Sequence, residues 1–236
     1  MKSSDFTEFV KPKVLAEKKF NKVFCIGYNK TGTTTLQTVF QLYGYRVPDQ
    51  KVQEMRLTKN VFRTDYKELQ QFCQYYDGFQ DMPFSQGMTY VAVDALFPES
   101  RFILTERPPE EWFESLVSFQ KKFYNLKDLS RLKEEDIKKR FNYLYPGYAY
   151  ENHRRNLSVF TEGTQKVLWE KLYDYDYYVD IYLRRNEEIK RYFMNAPEKL
   201  LVIDVTKEKD TARICEFLGI PKSFSIKMPH SNKTDR

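Results

Sequence analysis

Only two histidines and three cysteines occur in this 236-residue chain, and that scarcity removes several kinds of chemistry at once. Cys25, Cys73 and Cys215 share no metal-ligand spacing, so no metal site is expected, and an odd count argues against a disulfide framework. All three sit in apolar stretches and read as buried, reduced thiols. No apolar run is long enough to span a bilayer, and no charged-then-apolar leader opens the chain. Together these absences set the expectation of a cytoplasmic protein. There is no internal repeat, low-complexity tract, helix-turn-helix, zinc or RNP-type pattern. The formal charge of +6 suits an anionic ligand, but the basic residues are dispersed among acids, so nucleic acid is not expected as a partner.

Aromatic residues, by contrast, are plentiful: 18 Tyr and 19 Phe supply ample material for one substantial core. Short apolar runs at 23–28, 78–83, 101–107 and 199–205 alternate with helical patterns at 33–43, 65–76, 86–97, 109–124 and 211–218. That alternation predicts an α/β fold, a three-layer sandwich around a mainly parallel sheet with helices on both faces. Residues 1–21 are polar and lysine-rich and read as a mobile arm or short helix. The segment 125–195 shows helical patterns and almost no strand signal. It is expected to be an all-helical insertion capping the site, within a single domain spanning 1–236. The tail from Pro221 reads as irregular.

The stretch from Val23 to Leu36 carries the most chemistry. An apolar strand, Val23-Phe24-Cys25-Ile26-Gly27, runs into Tyr28-Asn29-Lys30-Thr31-Gly32-Thr33-Thr34-Thr35, and a helical pattern follows. The first turn of such a helix presents N–H groups without intrahelical partners and the positive end of the helix dipole, which suits an anion. Gly27 and Gly32 have the spacing of a nucleoside-triphosphate loop, but Thr33 stands where that loop places its lysine. The loop's lysine is Lys30, two residues before Gly32, an arrangement built wrongly for ATP or GTP hydrolysis.

Lys30-Thr31-Gly32-Thr33-Thr34 resembles the 5'-phosphosulfate loop of sulfotransferases that use 3'-phosphoadenosine-5'-phosphosulfate (PAPS). A second motif fits the same family. Arg107 ends a predicted strand, and Ser115 follows eight residues later on a helix that begins at Pro109, the order and spacing with which the family binds the cofactor's 3'-phosphate. The resemblance, to the bacterial-type branch of this P-loop-containing fold, implies a transferase moving a sulfuryl group from PAPS to a hydroxyl or amine of a carbohydrate or small molecule. It also implies roles for particular residues. Lys30 would stabilise the leaving oxygen. Thr31, Gly32, Thr33, Thr34 and Thr35 would hold the phosphosulfate through N–H groups and hydroxyls, with Gly32 allowing close approach or a positive φ.

The base is placed less directly. Many members carry a Thr-His-x-Pro segment between the two motifs, whereas this chain has Gln80-Asp81-Met82-Pro83. Other branches use a carboxylate, so Asp81 is the expected base, with burial raising its pKa. His153 falls in the insertion and His230 in a Pro-His-x-Asn tail resembling that of the bacterial-type branch. Asn232 and Lys233 would close that tail over the cofactor, although the Arg-Lys-Gly loop of the animal cytosolic enzymes is absent. Tyrosines and arginines in the insertion suit sugars, phenols or acidic acceptors, and equally an ordinary helical surface. Two other readings stay open: a non-catalytic protein of the same fold binding adenosine 3',5'-bisphosphate or anionic glycans, and a P-loop kinase with Asp204 as its magnesium-binding acid.

Overall fold

The computed structural model describes residues 18–140 and 143–229. A four-stranded parallel sheet runs in the order β2-β1-β3-β6, from β1 (Val23–Cys25), β2 (Gly78–Phe79), β3 (Arg101–Thr105) and β6 (Leu200–Ile203). Between them lie α1 (Thr33–Leu42), α2 (Gln50–Phe62), α3 (Lys67–Cys73) and α4 (Thr89–Leu96), then α5 (Pro109–Tyr124), α6 (Glu134–Arg140), α7 (Tyr148–Leu157) and α8 (Tyr175–Tyr192). Helix α9 (Ala212–Leu218) follows the last strand.

Side-chain alternation along the strands sorts the core into two halves. Phe24, Phe102 and Leu104 point to one face and pack with Leu57 and Val61 of α2, Phe72 of α3, Val93 of α4 and Ile189 of α8. Val23, Cys25, Ile103 and Ile203 point to the other, against Leu36, Val39 and Phe40 of α1 and Ile214 and Leu218 of α9. This is the three-layer arrangement the alternating pattern predicts. All three cysteines are buried and free. Among the described residues no helix is long and apolar enough to cross a membrane.

Helix α5 keeps the limits read from the sequence because its ends are marked chemically. Pro109 opens it, Glu110 and Glu111 lie in the first turn, Lys121 and Lys122 in the last, and Asn125 stops it in the left-handed region. Strand β1 is shorter than 23–28, yet its line continues, since Ile26 N–H bonds the Ile103 carbonyl at 2.9 Å. Gly27 then presses on Thr105 so closely that a Cβ there would overlap the threonine backbone.

Two elements depart from expectation. Helix α2 has no counterpart in the sequence reading; Asp49 starts it by accepting from Val52 N–H at 2.9 Å. The segment 125–195, expected to be wholly helical, contains an antiparallel hairpin of β4 (Ser158–Thr161) and β5 (Thr164–Val167). Glu162 and Gly163 turn it, both with positive φ (51° and 75°), the geometry a two-residue hairpin turn requires. The tail holds a short 3-10 turn, Lys222–Phe224, and an isolated bridge from Asp210 to Lys227.

The insertion has its own apolar cluster, in which Ile137, Leu157, Tyr178 and Tyr182 meet Trp112 of α5. It is also fastened to the sheet. Arg185 of α8 is buried, donates from Nη1 to the Ile26 carbonyl at 2.8 Å and from Nε to the Gly87 carbonyl at 3.0 Å, and lies over the Tyr28 ring.

Candidate functional site

The strand-to-helix loop and Arg107 come together at the carboxyl ends of β1 and β3, neighbouring strands of the sheet. The Arg107 guanidinium donates to the Lys30 carbonyl at 3.3 Å and pairs with Glu111 at 3.1 Å, while its buried Nε has no partner. Ser115 lies one helical turn beyond Glu111 on the same face of α5. Tyr182 fixes the Arg107 backbone from both sides: its hydroxyl accepts from Arg107 N–H at 2.9 Å and donates to the Arg107 carbonyl at 3.0 Å. The same ring stacks on Trp112 at 4.3 Å, and Trp112 Nε1 donates to the Asn29 carbonyl at 3.0 Å. One aromatic pair thus braces both loops.

Gly32 sits at the N-cap of α1 with φ 97°, where a Cβ would strike Val205, and no side chain caps the helix. Of its first-turn N–H groups, that of Thr35 bonds the Gly32 carbonyl at 3.0 Å, which leaves those of Thr33 and Thr34 for a ligand. The threonines divide. Thr31 is fully buried and its hydroxyl is engaged within the protein, donating to the Tyr28 carbonyl at 2.5 Å and lying 2.6 Å from Thr105 Oγ1. Thr33 donates to Asp81 at 3.3 Å. Those two hydroxyls, expected to face a phosphosulfate, instead hold the loop, because the short segment between β1 and α1 has to anchor itself; Thr34 lines the cavity beside it.

That cavity, about 280 Å³, lies between the loop and the insertion. Lys30 and Asp81 line it, and both are non-glycine residues in the left-handed region (φ 71° and 60°), strain of the kind found where a side chain must be aimed. Lys30 Nζ rests over the Phe119 ring, 4.3 Å from its centre. Burial lowers the Lys30 pKa, opposed by the charge of Asp81. Asp81 is buried and takes four donors: Asn29 Nδ2 at 2.6 Å, Met82 N–H at 2.9 Å, and Thr33 and Gln50 at 3.3 Å each. Burial raises its pKa, and those hydrogen bonds work against the rise.

A residue the sequence reading passed over stands beside it. Glu54 of α2 is 1% exposed and lines the same cavity. Gln50 Nε2 donates to Glu54 at 2.8 Å as well as to Asp81, so one amide bridges the two carboxylates, and the Tyr143 hydroxyl donates to the other Glu54 oxygen at 3.3 Å. Burial first, and then the Asp81 charge, push the Glu54 pKa up to about 7. The available signal was Gln50, Gln53 and Glu54 interrupting the apolar stripe of α2: polar side chains on a helix face turned inward need a cavity or a partner.

The sign of the resulting pH dependence follows from linkage. The unfolded carboxyl releases its proton near the usual 4.5, the folded one near 7, so the folded state holds more protons between those values and stability falls as pH rises through that window. Glu54→Gln is expected to flatten this slope and to raise stability at pH 8 by on the order of 2–3 kcal/mol. Urea unfolding of both proteins at pH 5 and pH 8 checks it; parallel curves would show that Glu54 does not titrate in this range.

His153 lies in the cavity wall on the insertion side, its ring nitrogens 3.4 Å and 3.5 Å from the hydroxyls of Tyr173 and Tyr178. Burial lowers its pKa to about 4, so it is neutral near pH 7. Asp204, at the end of β6, accepts from the N–H and hydroxyl of Thr206 and pairs with Lys207. His230, Asn232, Lys233 and the arm at 1–17 lie outside the described residues.

The architecture agrees with what similar proteins show. The crystal structure of a sulfotransferase from Alicyclobacillus acidocaldarius matches with a TM-score of 0.53 at 13% identity, over 93% of this chain and 88% of that one, a likeness of fold. Among curated proteins none matches significantly. A family model described as a sulfotransferase domain matches residues 22–236, from β1 through the tail, and this chain belongs to that sulfotransferase-domain family.

Proposed function

We propose that the protein transfers a sulfuryl group from PAPS to a hydroxyl or amine of a small-molecule or carbohydrate acceptor. The observation that carries this reading is the convergence of Arg107 on the Lys30 loop, with the buried Arg107 Nε unpartnered and the α1 N-terminus uncapped beside it. An orphaned guanidinium nitrogen and orphaned N–H groups suit a ligand bearing two separate anionic groups. In that fit the α1 N-terminus with Thr34, Thr35 and Lys30 holds the 5'-phosphosulfate, and Arg107 with Ser115 holds the 3'-phosphate. Thr33, engaged with Asp81 where a kinase needs its lysine, weighs against ATP.

When bound, PAPS supplies the sulfuryl group: the sulfur–oxygen bond to phosphate breaks with its electron pair on phosphate as the acceptor oxygen or nitrogen bonds sulfur. The residues around it do the rest. Lys30 sets a positive charge where the leaving oxygen gathers negative charge. Glu54, with a pKa near neutrality, takes the acceptor's proton. Asp81, expected to be that base, has its lone pairs engaged by four donors; it holds Asn29 and Thr33 of the loop in place and keeps the Glu54 pKa high. Glu54→Gln is accordingly expected to lower turnover about 100-fold with little change in affinity for adenosine 3',5'-bisphosphate, whereas Asp81→Asn, which sets an amide against those donors, weakens both. A fully active Glu54→Gln enzyme would return the base to Asp81 or a histidine.

Calorimetric titration tests the ligand. Adenosine 3',5'-bisphosphate is expected to bind and ATP–magnesium not to bind. Arg107→Ala should weaken the bisphosphate by about 2 kcal/mol, roughly 30-fold. An unchanged affinity in a folded Arg107→Ala protein removes Arg107 from the site.

A further inference from the structure

We propose that the acceptor is an uncharged, single-ring aromatic alcohol bearing a second hydrogen-bond donor opposite its reacting hydroxyl. The inference rests on the transfer reading above and specifies the cavity it assigns to the acceptor.

Charge decides the first part. Among the described residues that line the cavity Lys30 is the one Lys or Arg, and the transferred group claims it. Glu54 and Asp81 stand in the same wall, and His153, also in the lining, is neutral near pH 7. A carboxylated or already sulfated acceptor would bring its charge against two carboxylates with no cation to meet it.

Shape decides the second. Phe119 and Phe123 come from α5, Tyr143 and Tyr148 from the start of the α7 region, and Tyr173 and Tyr178 from the start of α8, so aromatic faces close on the space from three directions. The polar lining residues Asn29, Gln50 and Gln86 are already hydrogen-bonded within the protein, so a sugar ring enclosed this way would find partners for few of its peripheral hydroxyls. A flat apolar ring loses nothing there and gains offset and edge contacts. The volume, about 280 Å³, also sits at the small end for ligand sites.

Helix α7 supplies a ruler for the third. Tyr148 meets Met82, next to Asp81, through its hydroxyl, which places this end of α7 at the carboxylates. Asn152 lies one turn farther along the same face, ~6 Å on, about the width of one benzene ring with its substituents. Its Oδ1 is buried without a partner, as is Oε1 of Gln120, another lining residue. Two buried oxygens with unused lone pairs ask for a donor from whatever occupies the cavity.

The test uses the intact protein and two matched ligands, 4-(hydroxymethyl)phenol and 4-ethylphenol, which share a shape and differ by OH against CH3. Calorimetry is run with adenosine 3',5'-bisphosphate alone, then with each phenol, with 4-hydroxybenzoate and with N-acetylglucosamine in its presence. Expected is binding of 4-(hydroxymethyl)phenol at least fivefold tighter than 4-ethylphenol and at least tenfold tighter than 4-hydroxybenzoate, with no binding of the sugar. Asn152→Leu should bring the two phenols within twofold of each other; the ligand ranking on the unaltered protein stands as a test even if that variant does not fold. Equal or tighter binding of the benzoate or the sugar overturns the proposal, as does bisphosphate binding with no phenol bound. The expected phenol ranking without bisphosphate binding would support the cavity assignment and sink the transfer reading instead.

Discussion

Lys30→Ala is expected to cut turnover by about 10²–10³-fold while changing bisphosphate affinity less than tenfold. The asymmetry comes from when the interaction forms. In the proposed reading the 5'-phosphate already has the α1 N-terminus to meet it in the ground state and the 3'-phosphate has Arg107, whereas the charge that develops as the sulfur–oxygen bond breaks is new and would fall to the ammonium. The backbone supports this role: Lys30 adopts φ 71°, and its carbonyl is held by Arg107, so the side chain leaves the loop at a fixed point. Steady-state kinetics with calorimetry on the same preparation separate the two quantities. Equal losses in both would make Lys30 a binding residue only.

The largest effect on stability is expected at Arg185. Arg185→Met keeps much of the volume but leaves the buried Ile26 carbonyl, and the Gly87 carbonyl, without their donor, and removes a cation from the faces of Tyr28 and Tyr90. A loss of about 3–5 kcal/mol is expected, measurable by denaturant unfolding. Arg185→Lys should fall between, since one ammonium cannot reach both carbonyls along the guanidinium's two directions. A loss under 1 kcal/mol for the methionine variant would mean that the insertion is held by its apolar cluster alone.

What could be read in advance was set by local chemistry. Helix α5 announced itself through Pro109, its acidic start and its basic end, and the parallel sheet through apolar runs buried on both faces. Arg107 and the Lys30 loop were marked out by the family resemblance, whose two motifs the chain carries in order, and the structure brings them together. Helix α2 was not legible, because Gln53, Glu54 and Thr58 occupy its buried face and break the apolar period. The hairpin escaped for the opposite reason: Val159 and Phe160 are poorly buried, so Glu162-Gly163 between β-branched neighbours was the whole of its signal. The threonine hydroxyls show a further limit. The family resemblance placed Thr31 and Thr33 at a phosphate, but which hydroxyl turns inward depends on Thr105 and Asp81, contributed by strands and loops far along the chain.

Arg185 bears as well on how ligands come and go. Arg185 ties α8 to the end of β1 through a buried guanidinium and Tyr182 ties it to Arg107, two points of attachment that oppose opening of the insertion as a body. Traffic into the cavity therefore passes where its lining is also solvent-facing, at Phe119, Phe123 and Tyr143, which are 40%, 42% and 44% exposed. These rings stand in a row, Phe119 stacked on Phe123 at 5.8 Å and Phe123 edge-on to Tyr143 at 5.1 Å. Rotation of exposed aromatic side chains takes nanoseconds rather than the microseconds to milliseconds of domain closure, so admission is a matter of turning rings. Because the Lys30 ammonium rests on the first of those rings, 4.3 Å from its centre, a turn of that ring also shifts the seat of the cation.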